Sequence, residues 1–133
     1  PFTYPFYMDG SLRTSVVEYS HFLVMLLNGG RFSDRQVLEP ETVAAMLTPQ
    51  KVTILEPDEY LPNIDRALVW AVNRVGDQIL YTHAGGGTGF LTFVFLQPDS
   101  KTAGMIFVTG EVPEESYGRL LNVVLKMIEL AGD

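Results

Sequence analysis

A histidine followed by closely spaced glycines is the stretch of this sequence best suited to chemistry. His83 is one of two histidines among 133 residues, and Gly85, Gly86, Gly87 and Gly89 follow within six positions. Histidine commonly binds or transfers protons near neutral pH. Glycine lets a ligand or another backbone approach closely, because no side chain intervenes. The same pattern is equally typical of a glycine-rich turn with a hydrogen-bonded histidine.

The motifs of other common sites are absent from the sequence. It has no Gly-x-Ser-x-Gly elbow and no Ser-x-x-Lys motif, and without cysteine it has no thiol nucleophile, disulfide or thiolate metal site. His21 follows Ser20 directly, but adjacent helical positions point apart, so we interpret His21 as structural or exposed. The glycine stretch lacks the Lys-Ser/Thr ending and the following helix of a phosphate-binding loop. We expect no metal and no cofactor.

The bulk composition predicts one folded domain. Hydrophobic residues make up 47% of the chain, and the mean hydropathy is +0.15, which excludes a disordered chain. Nine basic and sixteen acidic residues give a net charge of −7, which argues against a nucleic-acid partner because binding phosphates requires Lys and Arg. The longest apolar runs are shorter than a membrane span, so we expect no membrane segment in this chain. The compartment stays open, because exported proteins can also lack cysteine.

Three helices are predicted around the histidine. Ser15 and Glu18 have the spacing of a capping box before an apolar run at helical spacing. Pro40 opens a second, shorter helix, and residues 113–115 open a third. The third helix has a wide apolar face that predicts burial against a sheet, made of Tyr117, Leu120, Leu121, Val124, Ile128 and Ala131 and widened by Val123, Leu125 and Met127.

Between the helices the hydrophobic period changes to that of strands. We predict strands over residues 68–75, 78–82, 90–97 and 102–109, with turns at Gly76–Asp77 and at residues 98–101. Residues 51–66 are predicted to be irregular, with one short strand at Val52–Leu55. The run over 102–109 is apolar nearly throughout, which predicts a central, covered strand. Short connections favour an antiparallel meander, so the predicted fold is α+β, a single domain over residues 1–133.

Three segments in a fixed order resemble the C-terminal part of the serine β-lactamase-like family. Residues 9–22 carry a glycine, a small-residue turn and a helix with an acid four positions before a Phe. Residues 37–46 carry Leu-x-Pro-Glu-x-Val and a Met, and Trp70 is followed by residues 83–90 and two final strands. The family includes class C β-lactamases, D-alanyl-D-alanine carboxypeptidases and related esterases. The resemblance spans nearly the whole chain.

The resemblance implies a role for each residue of the glycine stretch. His83, Ala84 and Gly85 would occupy the family's third motif, Lys-Thr-Gly or His-x-Gly, on the strand that edges the active site. His83 would supply a polar or cationic group near the substrate carboxylate, and Gly86 would donate its backbone N–H to the oxyanion hole. Ala84, Gly85 and Gly87 would line the bare strand along which the substrate lies. Ala84 stands where many members carry a hydroxyl residue.

The family's Ser-x-x-Lys and Tyr-x-Asn motifs would lie upstream of the segment that matches Pro1. The resemblance therefore implies the C-terminal portion of a larger serine hydrolase with a small-molecule amide or ester substrate, unable to form an acyl-enzyme alone. Its partner would be the missing N-terminal portion or a second copy, paired at an open apolar sheet edge along residues 102–109. A non-catalytic binding or interaction module on the same scaffold is the alternative, and a stand-alone structural domain is a third. The scaffold does not decide among β-lactam, peptide and ester substrates.

Overall fold

The computed structural model describes Gly10 and residues 12–50, 65–75 and 78–132. The predicted strand at Val52–Leu55 and the predicted turn at Gly76–Asp77 lie outside the described residues. The described elements, in chain order, are α1 Val16–Leu27, β1 Arg31–Phe32, β2 Arg35–Gln36, α2 Pro40–Leu47, β3 Asp65–Arg66, β4 Ala71–Val75, β5 Gln78–Gly87, β6 Phe90–Gln97, β7 Thr102–Thr109, a 3-10 turn Glu114–Ser116 and α3 Tyr117–Gly132.

Five of the strands form one antiparallel sheet whose spatial order follows the chain. The order is β3-β4-β5-β6-β7, and every neighbouring pair is antiparallel. The predicted α+β class and the meander are thereby confirmed. β1 and β2 form a separate hairpin, with Ser33 in the left-handed region at φ 53°. This hairpin was not predicted, because two-residue strands carry no readable period.

Helices cover both faces of the sheet. One face includes Val94 and Leu96 of β6 and packs against α1 and α2, while the opposite face packs against Val124 and Ile128 of α3. We call these the α1 face and the α3 face. The result is three layers with the sheet in the middle. The buried residues of the α1 face are Leu23, Met25, Leu26, Val43, Ala67, Trp70, Val72, Val94 and Leu96, and those of the α3 face are Leu80, Phe95, Val124 and Ile128.

The first helix begins as the sequence predicts. The Glu18 backbone N–H donates to Ser15 Oγ over 3.2 Å, and the Ser15 N–H donates to the Glu18 carboxylate over 3.1 Å. This reciprocal capping box satisfies donors that a helix N-terminus otherwise leaves unpaired. The helix ends before Gly29 and Gly30, which turn the chain at φ 61° and 88°. None of the described helices combines the length and apolar character needed to cross a membrane.

The expectation that residues 102–109 form a central strand is wrong for the described sheet. β7 ends the strand order, and residues 102–108 are all half-buried rather than buried. A run of apolar residues predicts that both faces of a strand are covered, and α1 and α3 do partly cover β7. The apolar run carries no information on whether another strand lies beside β7.

The expectation that the whole apolar face of the last helix is buried is also wrong, because only a narrow part of that face is buried. Val124 and Ile128 are buried, whereas Val123, Leu125 and Leu121 are exposed. The sheet covers only one side of α3, so the flanks of its wide apolar face remain in solvent. The strand predicted from residue 68 begins only at Ala71, because residues 67–70 form the turn that joins β3 to β4.

Candidate functional site

The glycine-rich stretch forms the second half of a strand rather than a turn. β5 continues to Gly87, and only Thr88 and Gly89, with φ 79° at Gly89, connect it to β6. Gly85, Gly86 and Gly87 do not adopt the left-handed conformation that favours glycine. Backbone conformation therefore does not explain why glycine occupies these three positions. The explanation must come from the atoms around them.

β5 has a strand neighbour on both sides over only its first half. It pairs with β4 from Gln78 to Thr82, whereas it pairs with β6 as far as Gly87. Before β4 the chain makes a turn in which the Ala67 N–H donates to the Trp70 carbonyl over 3.0 Å. Among the residues that the structure describes, His83–Gly87 thus has one neighbouring strand. We call this segment the free edge of β5.

The register fixes which backbone groups face the open side of this segment. A two-residue hairpin loop is closed by a pair that exchanges both backbone hydrogen bonds, here Gly87 with Phe90. Because hydrogen-bonded pairs alternate along antiparallel strands, Gly85 and His83 also bond to β6. Ala84 and Gly86 must therefore direct their N–H and C=O groups away from β6. The free edge presents the Gly86 N–H in the direction that an added ligand would approach.

His83 stands at the start of the free edge, on the α1 face. It pairs with Val94, a core residue of that face, but its own side chain is exposed. Its ring meets the Trp70 ring edge-on, with centroids 6.4 Å apart and planes at 87°. Trp70 is 2% exposed, and its Nε1 has no hydrogen-bond partner in the described part of the chain. A buried indole thus forms a wall against one side of an accessible imidazole.

Neighbouring side chains account for two of the three glycines of the free edge. A Cβ on Gly87 would lie 2.6 Å from Cε1 of Phe90. A Cβ on Gly85 would lie 3.1 Å from Oγ1 of Thr92, which donates a hydrogen bond to the Gly85 carbonyl. At Gly86 the nearest atom would be a methyl carbon 3.4 Å away, an ordinary contact. Of these three positions, only Gly86 has room for a Cβ without a shift of a neighbouring side chain.

The sequence-predicted site residues all lie in one segment but do not share one face. His83, Gly85 and Gly87 lie on the α1 face, whereas Ala84 and Gly86 lie on the α3 face. His83 and Gly86 can act on one ligand only if that ligand lies along the edge itself. Such a ligand would run beside the strand rather than over either face.

Sequence reasoning missed the supports of this segment. Asn73 Nδ2 donates to Thr82 Oγ1 over 2.7 Å, which ties β4 to the last residue before the free edge. Thr92 fixes the Gly85 carbonyl from β6. Each contact joins two different strands, so it depends on how those strands are paired. Local sequence patterns do not predict that pairing.

Three of the described serine hydroxyls take part in local hydrogen bonds. Ser15 Oγ contacts Glu18, Ser20 Oγ donates to the Val17 carbonyl, and Ser100 Oγ donates to the Gln97 carbonyl. Within the described ranges, no group of three or more histidine and acidic residues is placed to hold a metal ion. The described geometry offers a binding edge with one exposed imidazole and two outward N–H groups, those of Ala84 and Gly86.

No protein-family model matches the chain, and no curated protein matches it.

Proposed function

We propose that this chain is the C-terminal part of a serine hydrolase of the β-lactamase and penicillin-binding-protein type. The free edge of β5 supports the proposal: it presents an outward Gly86 N–H beside an exposed His83. The chain would supply one wall of the active site, and the nucleophile would come from another part of the protein. His83 and Gly86 carry the proposed catalytic roles, and Ala84, Gly85 and Gly87 carry the proposed binding roles.

The chemistry of acyl transfer explains why this edge suits the task. Negative charge develops on the substrate carbonyl oxygen, and fixed N–H donors stabilise it. Gly86 would supply one such donor, and an extended amide or ester would lie beside residues 84–87 like an added strand. His83, braced by Trp70, would hold or accept a proton or contact an anionic group at one end of the substrate.

A non-catalytic binding or interaction module on the same scaffold is the second candidate. Its support is that Ser15, Ser20 and Ser100 all make local hydrogen bonds. The same edge would then bind an extended ligand without cleaving it. In either case the proposed macromolecular partner, the rest of a longer polypeptide or a second copy, would pair with β7.

Sequencing the coding DNA upstream of Pro1 is the first experiment. An in-frame Ser-x-x-Lys followed by Tyr-x-Asn supports the hydrolase, and the longer protein is then incubated with a β-lactam, a D-alanyl peptide and an aryl ester. A mass increase on the motif serine in intact-protein mass spectrometry identifies the acyl-enzyme. An upstream region without the nucleophile contradicts the hydrolase proposal and favours the binding module.

Variants of the free edge test the two roles separately in that longer protein. His83→Ala should lower the acylation rate by about 10²–10⁴-fold if the imidazole takes part in proton transfer. Gly86→Pro should lower it by about 10²–10³-fold, because proline removes the outward N–H without breaking a bond to β6.

Gly86→Ala is the matched control, because it keeps the N–H and the fold has room for the methyl group. Circular dichroism should show all three variants folded. Equal acylation rates for Gly86→Pro and Gly86→Ala would contradict the oxyanion role.

A further inference from the structure

The outer edge of β7 has unpaired backbone groups within the described part of the chain. β7 ends the strand order, and its register with β6 is unbroken from Phe90↔Thr109 to Gln97↔Thr102. By the same alternation as in β5, the even-numbered residues of β7 bond to β6. Ala103, Met105 and Phe107 therefore direct their N–H and C=O groups outward. The strand has no charged residue, proline or bulge, the devices that usually block pairing at an edge.

An exposed apolar stripe on α3 lies on the side of this edge. A Cβ on Gly104 would lie 2.9 Å from Cε of Met127, so Met127 marks the side of the helix that faces β7. Val123 and Leu130 share a helix flank with Met127, because they lie four residues before and three residues after it. They are 50% and 64% exposed. Among the residues that the structure describes, the outer edge of β7 and this flank of α3 form one apolar border that no other element covers.

The opposite border of the sheet is closed at β3, although the free edge of β5 lies open on the same side. β3 has only two residues, Asp65 and Arg66, and both are charged. Its outer side already bridges to Gln50, whose N–H donates to the Arg66 carbonyl. Pairing at β7 therefore cannot be repeated at β3, and a β7–β7 pair uses the one outer β7 edge of each copy. It stops after one partner, which is the behaviour of a two-fold symmetric interface.

The sequence of β7 is complementary to itself in the antiparallel direction. With Met105 on the two-fold axis, each small residue of one copy meets a larger residue of the other. Ala103 opposes Phe107, and Gly104 opposes Ile106. The pairing joins outward-facing residues to outward-facing residues, so hydrogen bonds form at Met105 and at both Ala103–Phe107 pairs. Alternating small and large residues across facing positions favours close packing.

We propose that this chain forms a two-fold dimer in which the β7 strands of two copies pair antiparallel about Met105. The two sheets join into one of ten strands. The flanks that carry Val123 and Leu130 from the two copies lie near each other above the joint. This dimer uses neither His83 nor the free edge of β5, so its failure would leave the proposed chemistry of that edge untouched. It is an alternative to pairing of β7 with the rest of a longer polypeptide, because β7 has one outer edge.

Light scattering on the purified 133-residue chain tests the dimer directly. The expected mass at high concentration is twice the 14.8 kDa of one chain, with a return toward 14.8 kDa on dilution. A mass of 14.8 kDa at every concentration overturns the proposal, whether another segment of the chain covers β7 or nothing does. Polydisperse aggregates in place of a dimer also overturn it.

A pair of lysine variants on α3 locates the interface. Val123→Lys places a charge on the flank beside β7, whereas Leu125→Lys places the same charge on the far flank. The two side chains are matched at 50% and 49% exposed. Val123→Lys should raise the dimer dissociation constant at least tenfold, and Leu125→Lys should leave it unchanged. Equal effects of the two variants would place the interface elsewhere.

Single cysteines test the register, because the chain has no native cysteine. In the proposed pairing Met105 faces its own copy, so Met105→Cys should give a covalent dimer under mild oxidation. Two copies of residue 103 would be about 14 Å apart along the strands, beyond the roughly 7 Å limit for a disulfide. Ala103→Cys should therefore remain monomeric on a non-reducing gel. Equal cross-linking of the two variants contradicts this register.

Discussion

Glycines in this protein serve different needs that only the structure separates. The sequence singles out the cluster at residues 85–87 because of its density, yet Gly85 and Gly87 make room for Thr92 and Phe90. Gly104 attracts no attention in the sequence, but it lies beneath the Phe95 ring and the Met127 methyl group, which pack between the sheet and α3. The role of a glycine in this sheet depends on the side chains of the neighbouring strands. A local sequence pattern does not show which residues those are.

Gly104→Ala should destabilise the protein. The added Cβ would run into the Phe95 ring and lie 2.9 Å from Cε of Met127, both of which belong to the packed α3 face. Overpacking of this kind typically costs about 1–3 kcal/mol. Urea unfolding followed by circular dichroism measures the difference in the free energy of unfolding.

Gly86→Ala provides the comparison for that measurement, since its Cβ would make only an ordinary contact. Its unfolding free energy should lie within about 0.5 kcal/mol of the native chain, as for most surface substitutions. If both variants lost the same stability, the loss at Gly104 could not be assigned to its contacts with Phe95 and Met127, because backbone entropy alone favours alanine over glycine.

At the scale of helices and strands, the residues at which helices begin could be predicted better than the lengths of strands and the burial of their side chains. The capping box gave the start of α1, and Pro40 gave the start of α2, because these signals act within a few residues. The length of β5 was underestimated, since glycine has low strand propensity and the partner β6 holds residues 83–87 in the sheet. The candidate site exists because pairing with β6 extends β5 to Gly87. Local strand propensity predicts no strand over those residues.

Ser15→Ala should weaken the start of α1. It removes the acceptor for the Glu18 N–H, a change that typically costs about 1 kcal/mol. Hydrogen bonds from Ser15, first from its backbone N–H, lower the pKa of Glu18. A lowered carboxyl pKa adds stability above the unfolded value of about 4.3, and that stability is lost as the pH falls. Chemical unfolding at pH 7 and pH 3 should show a smaller difference between variant and native chain at pH 3.

Ser20→Ala serves as the internal control for the capping test. Ser20 donates to the Val17 carbonyl within the same helix, away from its N-terminus. Its replacement should alter stability by no more than about 0.5 kcal/mol, since alanine favours helix. A loss at Ser20 as large as that at Ser15 would mean that the cap contributes nothing specific.

At the scale of the whole molecule, the sequence predicted the meander and the class, and the structure added the layers. The order of strands followed from short connections, which need no long-range information. Which helix covers which face could not be predicted, because α1 and α3 both have more apolar surface than one face of the sheet can bury. The apolar side chains that remain exposed on α1 and α3 follow from this surplus of apolar surface.

Raising the pH should loosen the contact between α1 and the sheet. Tyr19 of α1 packs against Phe107 with ring centroids 5.9 Å apart, and Tyr81 lies among the residues of the same face. Burial raises the pKa of both phenols, and at Tyr81 the Asp99 carboxylate adds to the effect while Arg74 opposes it. The stability linked to a raised phenol pKa is intact below about pH 10, where the unfolded phenols begin to ionise, and is lost above it.

Tyr19→Phe tests this linkage. Its unfolding midpoint in urea should fall less steeply than that of the native chain between pH 9 and pH 11, since phenylalanine has no proton to lose. Near pH 7, where no phenol ionises, the variant should differ from the native chain by a constant offset only. Parallel curves over the whole alkaline range would show that the phenol of Tyr19 does not sense burial.

The edge-on contact between Trp70 and His83 makes this molecule its own optical probe. Trp70 is the only tryptophan in the chain, so all indole emission comes from one buried ring beside the one imidazole of the free edge. Displacement of the His83 ring by a ligand is therefore recorded as a change in the fluorescence of unlabelled protein.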